Sequence, residues 1–588
     1  MNYSLSKIRE DHIDEKVSWT SSIKKMLPIL SGERSKLILV FITLILNSVL
    51  ILVGPLVIGH VINTFIRHGN FRGVVMYSIL LVFIYAGAFI ANYIQIKTMG
   101  AVAQRTLFRL RNMIFGKLME LPLAFFNQNK SGDLISRINN DTSKLNQFFS
   151  EGLMRFAGTF FIISGAAVFV IVINWRLALA SLAPAIVAFI ITRIISPWVK
   201  RTTGKSLRAN GALSSEAQES MTNFKVILAF NRRDYFREKF AEANENNFRT
   251  AFKAGIANEI FTPIFEWSAN IALLIVLAYG IHLIDGGAFT LGFLVSFVIY
   301  ITRLYDPLRE MARLWSTFQT ALAAWDRIGE ILRLKSDLEI VSDTEITKNK
   351  NAVIEFKNVS FAYPEGETVL TGANLSFEKG KTYALVGPTG GGKTTTASLI
   401  ARLYDPTSGT VFLDGRDIRT YEPEIRAQKI GFILQEAFLF SGTVGDNILY
   451  GNAEYIEKGK EALEKALKDS GLSELLKRFD KGLDTPVGSH SELSLGERQL
   501  IAFIRAVLRK PEILILDEAT ANIDTVTERI LEDVLKKLPP ETTRVIIAHR
   551  LNTIENADGI FFVNGGEIQE AGSMDHAVEM LLHHKRKS

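Results

Sequence analysis

The sequence predicts a multi-domain membrane protein: an all-α domain of six transmembrane helices with long cytoplasmic helical hairpins, followed by an α/β domain. Three observations carry this. Apolar runs of bilayer length crowd the first half, the second half alternates strand-like and helical patterns, and lysine and arginine concentrate in two of the connections between apolar runs. At 588 residues the chain also exceeds what one core sustains. We expect residues 1–34 to form a cytoplasmic N-terminus with an interfacial helix, 35–325 the membrane domain, 326–350 a linker and 351–588 the α/β domain.

A short amphipathic helix on the cytoplasmic surface is expected over 18–30. Spans of roughly 20 apolar residues follow at about 36–66, 74–99, 156–173, 177–199, 260–284 and 291–308. The first is too long, too deep in the chain and too poorly flanked for a cleaved signal peptide. The connection between the second and third spans holds Lys97, Arg105, Arg109, Arg111, Lys117, Lys130, Arg137 and Lys144. That between the fourth and fifth holds Lys200, Arg201, Lys205, Arg208, Arg232, Arg233, Arg237 and Lys239. These two face the cytoplasm, whereas the short joints at 67–72, 174–176 and 285–290 face outward, so both termini are inside. Both cytoplasmic connections lack loop punctuation and read as helical hairpins, with breaks at 125–133 and 213–230 and a helix over 134–145. Their tips suit docking onto a cytoplasmic domain.

The net charge of +6 would also suit nucleic acid. Here the cations flank apolar spans, where a membrane protein keeps its cytoplasmic charge, so no nucleic-acid partner is expected. With no cysteine, disulfides, zinc–thiolate sites and cysteine nucleophiles are excluded. Within the spans, Arg193, Glu266 and Arg303 stand out because an ionisable group in hydrocarbon is costly. Arg193 reads as snorkelling to the interface. Glu266 and Arg303 are candidates for a substrate cavity, the alternative being that they sit in cytosol-proximal water or pair together.

After an amphipathic helix at 321–334 and a polar linker at 335–351, strand-like runs are expected at 354–360, 383–386, 410–413, 430–435, 513–517, 544–548 and 559–563. That is an α/β domain with an antiparallel contribution near its start. Gly387-Pro388-Thr389-Gly390-Gly391-Gly392-Lys393-Thr394 follows the second of these strands and opens a helix-forming segment that begins at Thr395. Successive backbone N–H groups and a helix N-terminus there converge on phosphates; Lys393 adds a point charge and the Thr394 hydroxyl offers itself to Mg²⁺. The chain is thus expected to bind a nucleoside triphosphate with Mg²⁺. Strand 513–517 ends in Asp517-Glu518, where Asp517 can hold Mg²⁺ through water and Glu518 can orient or deprotonate the attacking water. A further strand ends at His549, where an imidazole could hydrogen-bond a γ-phosphate, the alternative being a structural histidine.

With these motifs in order, the chain resembles a half-transporter of the ABC exporter family over nearly its whole length. In that family a Leu-Ser-Gly-Gly-Gln signature precedes the Asp-Glu strand; here Leu493-Ser494-Leu495-Gly496-Glu497 occupies that place, followed by Arg498-Gln499. The resemblance implies that the cofactors are ATP and Mg²⁺. It further implies that Tyr363 stacks on adenine, that Gln435 couples Mg²⁺ and water to the membrane domain, and that Asp524 belongs to a loop crossing a dimer. Ser494, Gly496 and Glu497 would then face ATP held by the other protomer. An amphipathic substrate (drug, lipid or peptide), membrane lipids as surroundings and an integral, multi-pass place in a prokaryotic plasma (inner) membrane are implied in the same way.

The departures are informative. Leu495 replaces the first signature glycine, Glu497 replaces glutamine, the segment between Gly488 and Leu493 is one residue shorter than usual, and the cross-dimer loop reads Ala521-Asn522-Ile523-Asp524. A bulky side chain disturbs the close approach that glycine permits. Intact Glu518 and His549 beside such a signature resemble one member of a heterodimeric exporter, whose partner would carry a good signature and a weakened catalytic glutamate. A homodimeric lipid or multidrug exporter is the alternative within the class. A non-transporting, ATP-gated regulatory membrane protein is the alternative outside it, and the retained Lys393, Asp517, Glu518 and His549 argue against that.

Overall fold

The computed structural model describes residues 3–5, 7, 28, 31–342, 351–364, 366–435, 437–488, 493–517, 525–547 and 557–584. Two compact units emerge. One comprises His12–Met119 and Gly132–Arg333; the other joins Met1–Asp11 and Glu120–Ser131 to Leu334–Ser588. The interfacial helix expected over 18–30 lies outside the described residues apart from Pro28, as does most of the linker beyond 342.

The first unit holds six helices long and apolar enough to cross a membrane: Ser31–Ile66, Phe71–Glu120, Ser131–Ile173, Trp175–Thr222, Arg233–Asp285 and Leu291–Leu308. Their outer faces expose large apolar side chains such as Phe83, Phe89, Val172, Ile194 and Leu274, as a surface in contact with lipid does. Inside, Leu52, Val170, Phe297, Tyr300 and Tyr305 form a buried cluster. Polar groups there are satisfied between helices: Ser296 Oγ donates to the Pro55 carbonyl at 2.6 Å, Tyr305 Oη to the Ser181 carbonyl at 2.7 Å, and Tyr300 Oη to that of Leu52.

Three local differences from the sequence expectation have physical causes. The first hairpin breaks at Asn129-Lys130, inside the expected segment, and also earlier at Leu121-Pro122, because proline fixes its own φ and disfavours helix at the preceding residue. A six-residue helix, Leu123–Gln128, then forms the tip. The second hairpin stays helical through Thr222 and turns around the short helix Phe224–Ala229, with Asn231 in the left-handed region at φ 51°. The helix expected at 321–334 is no separate element, since Leu291–Arg333 runs unbroken.

The helix after the first tip carries two π-helical turns, Arg137–Asp141 and Phe148–Gly152. The first presents two buried charges to helix Leu291–Arg333. Arg137, 1% exposed, donates to Glu330 Oε2 at 2.7 Å and Asp133 Oδ2 at 3.0 Å. Asp141 accepts from Arg327 Nε at 2.7 Å. Asp141 holds the Arg327 guanidinium above its ordinary pKa, chiefly by this hydrogen bond. A crossed double pair of this kind bolts the hairpin to the last helix.

The second unit contains two principal sheets. The antiparallel one orders β1 (Ala352–Ala362), β2 (Thr368–Glu378), β4 (Ser408–Leu413) and β5 (Arg416–Asp417) as β2-β1-β4-β5. The other orders β3 (Thr382–Val386), β6 (Ile430–Ile433), β9 (Ile513–Asp517), β10 (Thr543–Ile547), β11 (Gly559–Asn564) and β12 (Glu567–Glu570) as β12-β11-β3-β10-β9-β6. All of its strands but β12 run parallel to their neighbours. Parallel strands covered on both faces must be apolar throughout, and β9, Ile-Leu-Ile-Leu-Asp, is buried at every position. Strand β2 was not among the expected runs: its Gly372-Ala373-Asn374 reads as a turn, and Gly372 does sit at φ 57°. Pairing with β1 extends the strand through it, with irregular register. The short pair β7 (Gly442–Thr443) and β8 (Pro486–Val487) was also missed.

Candidate functional site

Parallel strands deliver their C-terminal ends to one edge, and there the candidate residues gather. The glycine-rich loop leaves β3, Asp517 closes β9, and Gln435 follows β6 by two residues. Strand β10 lies between β3 and β9, with Ile547 paired to Asp517. Asp517 is 3% exposed, whereas Gln435 is exposed and its carbonyl accepts from Gln499 Nε2 at 3.4 Å. Glu518, His549 and the cross-dimer loop with Asp524 lie outside the described residues.

The loop is held down by close backbone approach. A Cβ on Gly387 would stand 2.0 Å from the Val563 carbonyl oxygen of β11, and one on Gly391 2.5 Å from the same atom. Gly387, Gly390 and Gly392 have φ of 155°, 82° and 108°, so Gly390 and Gly392 adopt a backbone that other residues rarely take. Gly392 then caps the helix Lys393–Ile400, with no side-chain cap and no acid in the first turn. Lys393 is 5% exposed and its Nζ donates to the Gly387 and Pro388 carbonyls at 2.8 and 2.9 Å, folding the ammonium over the loop. Thr389 and Thr394 are exposed; Thr395 is buried. A concave run of backbone that a Cβ would fill, an embedded ammonium, a free-standing threonine at the helix start and a buried aspartate fit a triphosphate with its cation.

Tyr363 follows the end of β1. Its hydroxyl and Thr395 Oγ1 lie 3.0 Å apart in a hydrogen bond, and its ring packs edge-on against Phe361 and Tyr404, with centroids at 4.9 and 5.3 Å. Sequence reasoning placed Tyr363 but missed Tyr404, which only the fold brings beside it. Tyr404 Oη accepts from Asn127 Nδ2 of the first hairpin tip at 2.6 Å.

The signature-like turn is organised differently. Ser494 caps the helix Leu495–Val507 and closes a capping box with Glu497. The Ser494 amide and hydroxyl both donate to Glu497 Oε2, at 2.7 and 2.9 Å, and the Glu497 amide donates back to Ser494 Oγ at 3.2 Å. Leu495 is 46% exposed beside them, and Gly496 is half-buried. Glu266 and Arg303 are both exposed on the single chain, on the mutually packed helices Phe261–Asp285 and Leu291–Arg333. Arg193 is exposed too.

Six spans fused to an α/β domain with a phosphate loop define a membrane-embedded nucleoside triphosphatase. Comparison with known proteins specifies which. Residues 37–308 match the family model for the ABC transporter transmembrane region and 370–521 that for the ABC transporter. The chain is 33% identical to the ABC transporter ATP-binding protein YfiC of Bacillus subtilis, over 95% of its own length and 92% of that protein. It is 32% identical to the ATP-dependent lipid A-core flippase of Pasteurella multocida, over 95% and 96% of the two chains. With the fatty acid ABC transporter ATP-binding/permease protein of Mycobacterium tuberculosis it shares 30% identity, over 83% and 77%. The chain therefore belongs to the ABC transporter family, as an exporter with fused membrane and ATPase domains that hydrolyses ATP with Mg²⁺.

Proposed function

We propose that this chain is the hydrolytic half of a heterodimeric exporter that moves an amphipathic, lipid-like molecule out of the cytoplasm or inner leaflet. The observation that carries the two-chain reading is the Ser494–Glu497 capping box. Both donors of Ser494 are spent on a carboxylate of the same chain, and that negative charge sits where an incoming phosphate would be received. The helix that follows the phosphate loop is capped by Gly392 and has no acidic residue in its first turn. A partner supplying an open signature would complete the site formed by Lys393, Thr394, Asp517 and Glu518.

In this reading bound ATP supplies the phosphoryl group and Mg²⁺ its charge neutralisation. Lys393 and the loop amides hold the phosphates, and Thr394, Asp517 and Gln435 orient the metal. Glu518 takes a proton from water, His549 steadies the γ-phosphate, Tyr363 stacks on the base and Asp524 contributes across the dimer. Dimerisation has support in two apolar surfaces. The second hairpin tip exposes Met221, Phe224, Val226 and Phe230. The ATPase unit carries a cleft of about 240 Å³ lined by Phe438, Phe440, Tyr450 and Arg505, in which the guanidinium lies over both Phe440 and Tyr450. A tip of that composition from a second chain suits such a cleft. Lysine and arginine in the two long connections support cytoplasmic termini in a prokaryotic plasma (inner) membrane. The names of two relatives favour a lipid-like cargo, with Glu266 and Arg303 as candidates to line its path.

A homodimeric lipid exporter is the second reading, favoured by the near full-length likeness to a lipid A-core flippase. Measuring ATPase activity of the chain alone, and after co-expression with a second half-transporter, separates the two. Low activity restored by the partner is expected; robust activity of the purified chain alone defeats the heterodimer.

A further inference from the structure

Residues near the start of the chain are built into the ATPase unit. Tyr3 and Leu5 are 0% and 2% exposed, and neither belongs to a strand. The Asn129 side chain plays the part of a neighbouring strand: its Oδ1 accepts from the Leu5 amide at 3.0 Å, and its Nδ2 donates to the Tyr3 carbonyl at 2.9 Å. Gln128 Oε1 accepts from the Tyr3 amide at 2.8 Å. The Tyr3 ring stands edge-on to Phe125 of the same tip, with centroids at 6.5 Å. At its far end the Tyr3 hydroxyl donates to the Lys335 carbonyl at 3.1 Å and accepts from the Asp337 amide at 2.9 Å.

This one side chain therefore spans from the hairpin tip to the segment leading into the ATPase core. That segment is itself pinned, since Arg402, 2% exposed, donates to the Glu339 carbonyl at 2.8 Å while the Val341 amide donates to that of Arg419. The tip so held is the one whose Asn127 reaches Tyr404, and Tyr404 flanks Tyr363. We propose that residues 3–5 form an intramolecular latch that keeps the tip Leu123–Gln128 in its Asn127–Tyr404 contact, making Tyr3 a positioning residue for the aromatic group at the ATP site.

Tyr3 lies outside any regular element and Leu5 is helical, so their buried amides and the Tyr3 carbonyl depend on individual partners. Here side-chain amides provide them. The latch rests on the reading of Tyr363 as the adenine platform, and the test keeps the two apart. In the full-length chain, hydrogen exchange of the amides over 123–129 is compared between wild type, Tyr3→Phe and Tyr3→Ala, and affinity for the fluorescent probe TNP-ATP is measured on the same samples. Tyr3→Phe keeps the ring and loses both hydroxyl bonds, so exchange at the tip should rise about tenfold, with a larger rise in Tyr3→Ala. TNP-ATP binding should weaken about threefold in Tyr3→Phe. Strand Ile513–Asp517 serves as the folding control and should exchange as in wild type. Unchanged exchange at the tip, or a freed tip with unaltered TNP-ATP affinity, overturns the latch. A Tyr363→Ala protein that binds the probe like wild type would instead sink the platform reading, whatever Tyr3 does.

Discussion

Two helix N-termini in the ATPase unit invite comparison. One begins at Lys393 and the other at Leu495. Both expose backbone donors and the positive end of a helix dipole, the physical basis of an anion site. The first is not capped by its own side chains: its cap is Gly392, its first turn has no acid, and Lys393 adds charge. The second is filled from within, because Glu497 takes both donors of Ser494. A helix start is a phosphate site only where the chain does not satisfy it first. The second helix gains about 1 kcal/mol from its capping box, and gives up its readiness for an outside anion.

The largest expected effect breaks the first end's chemistry. In the assembled dimer, Glu518→Gln should bind MgATP but turn over about 10² to 10⁴ times more slowly, since an amide keeps the shape and cannot accept a proton. Near-normal phosphate release would remove Glu518 from its role. Lys393→Ala should act before chemistry, by lowering nucleotide affinity through loss of charge at the phosphates. An unchanged dissociation constant in equilibrium binding would count against it.

Next in size is the base end of the site. Tyr363→Ala should cost on the order of 1 to 3 kcal/mol of ATP affinity, with Tyr363→Phe retaining most of it. The closed end should respond least. Glu497→Gln should lower thermal stability by roughly 0.5 to 1 kcal/mol, read from the melting transition, because a charged partner at the helix start becomes neutral. If the exporter is the proposed heterodimer, Leu495→Gly, alone or with it, should leave its ATPase activity within about twofold, as this turn would then serve the other, weaker site. A large gain in turnover from either substitution would mean that the two ends are equivalent in function and that the dimer is symmetric.

The two ends also differ in how legible they were. The phosphate loop could be read directly, since its glycines, lysine and threonine are consecutive and their chemistry is local. The filled state of the second end could not. Glu497 registered as a departure from a family pattern, whereas its meaning depended on which atoms its carboxylate meets. Strand β2 escaped notice because its central glycine and asparagine favour a turn by local propensity, and pairing with β1 overrode them.

Apolar runs of bilayer length by themselves determined six spans, because bilayer thickness and backbone hydrogen bonding leave few other solutions, and the alternation of strand-like with helical patterns in the second half determined the α/β class. Contiguous motifs determined the phosphate loop and the aspartate strand for the same kind of local reason. Only the tertiary structure decided that β10 would separate β3 from β9 and that Arg137 and Asp141 would meet Glu330 and Arg327. It alone brought Tyr404 to Tyr363 and carried Tyr3 to Asn129 and Asp337. Those pairs stand tens to hundreds of positions apart, and no local periodicity encodes a contact whose partner is chosen by the packing of whole elements.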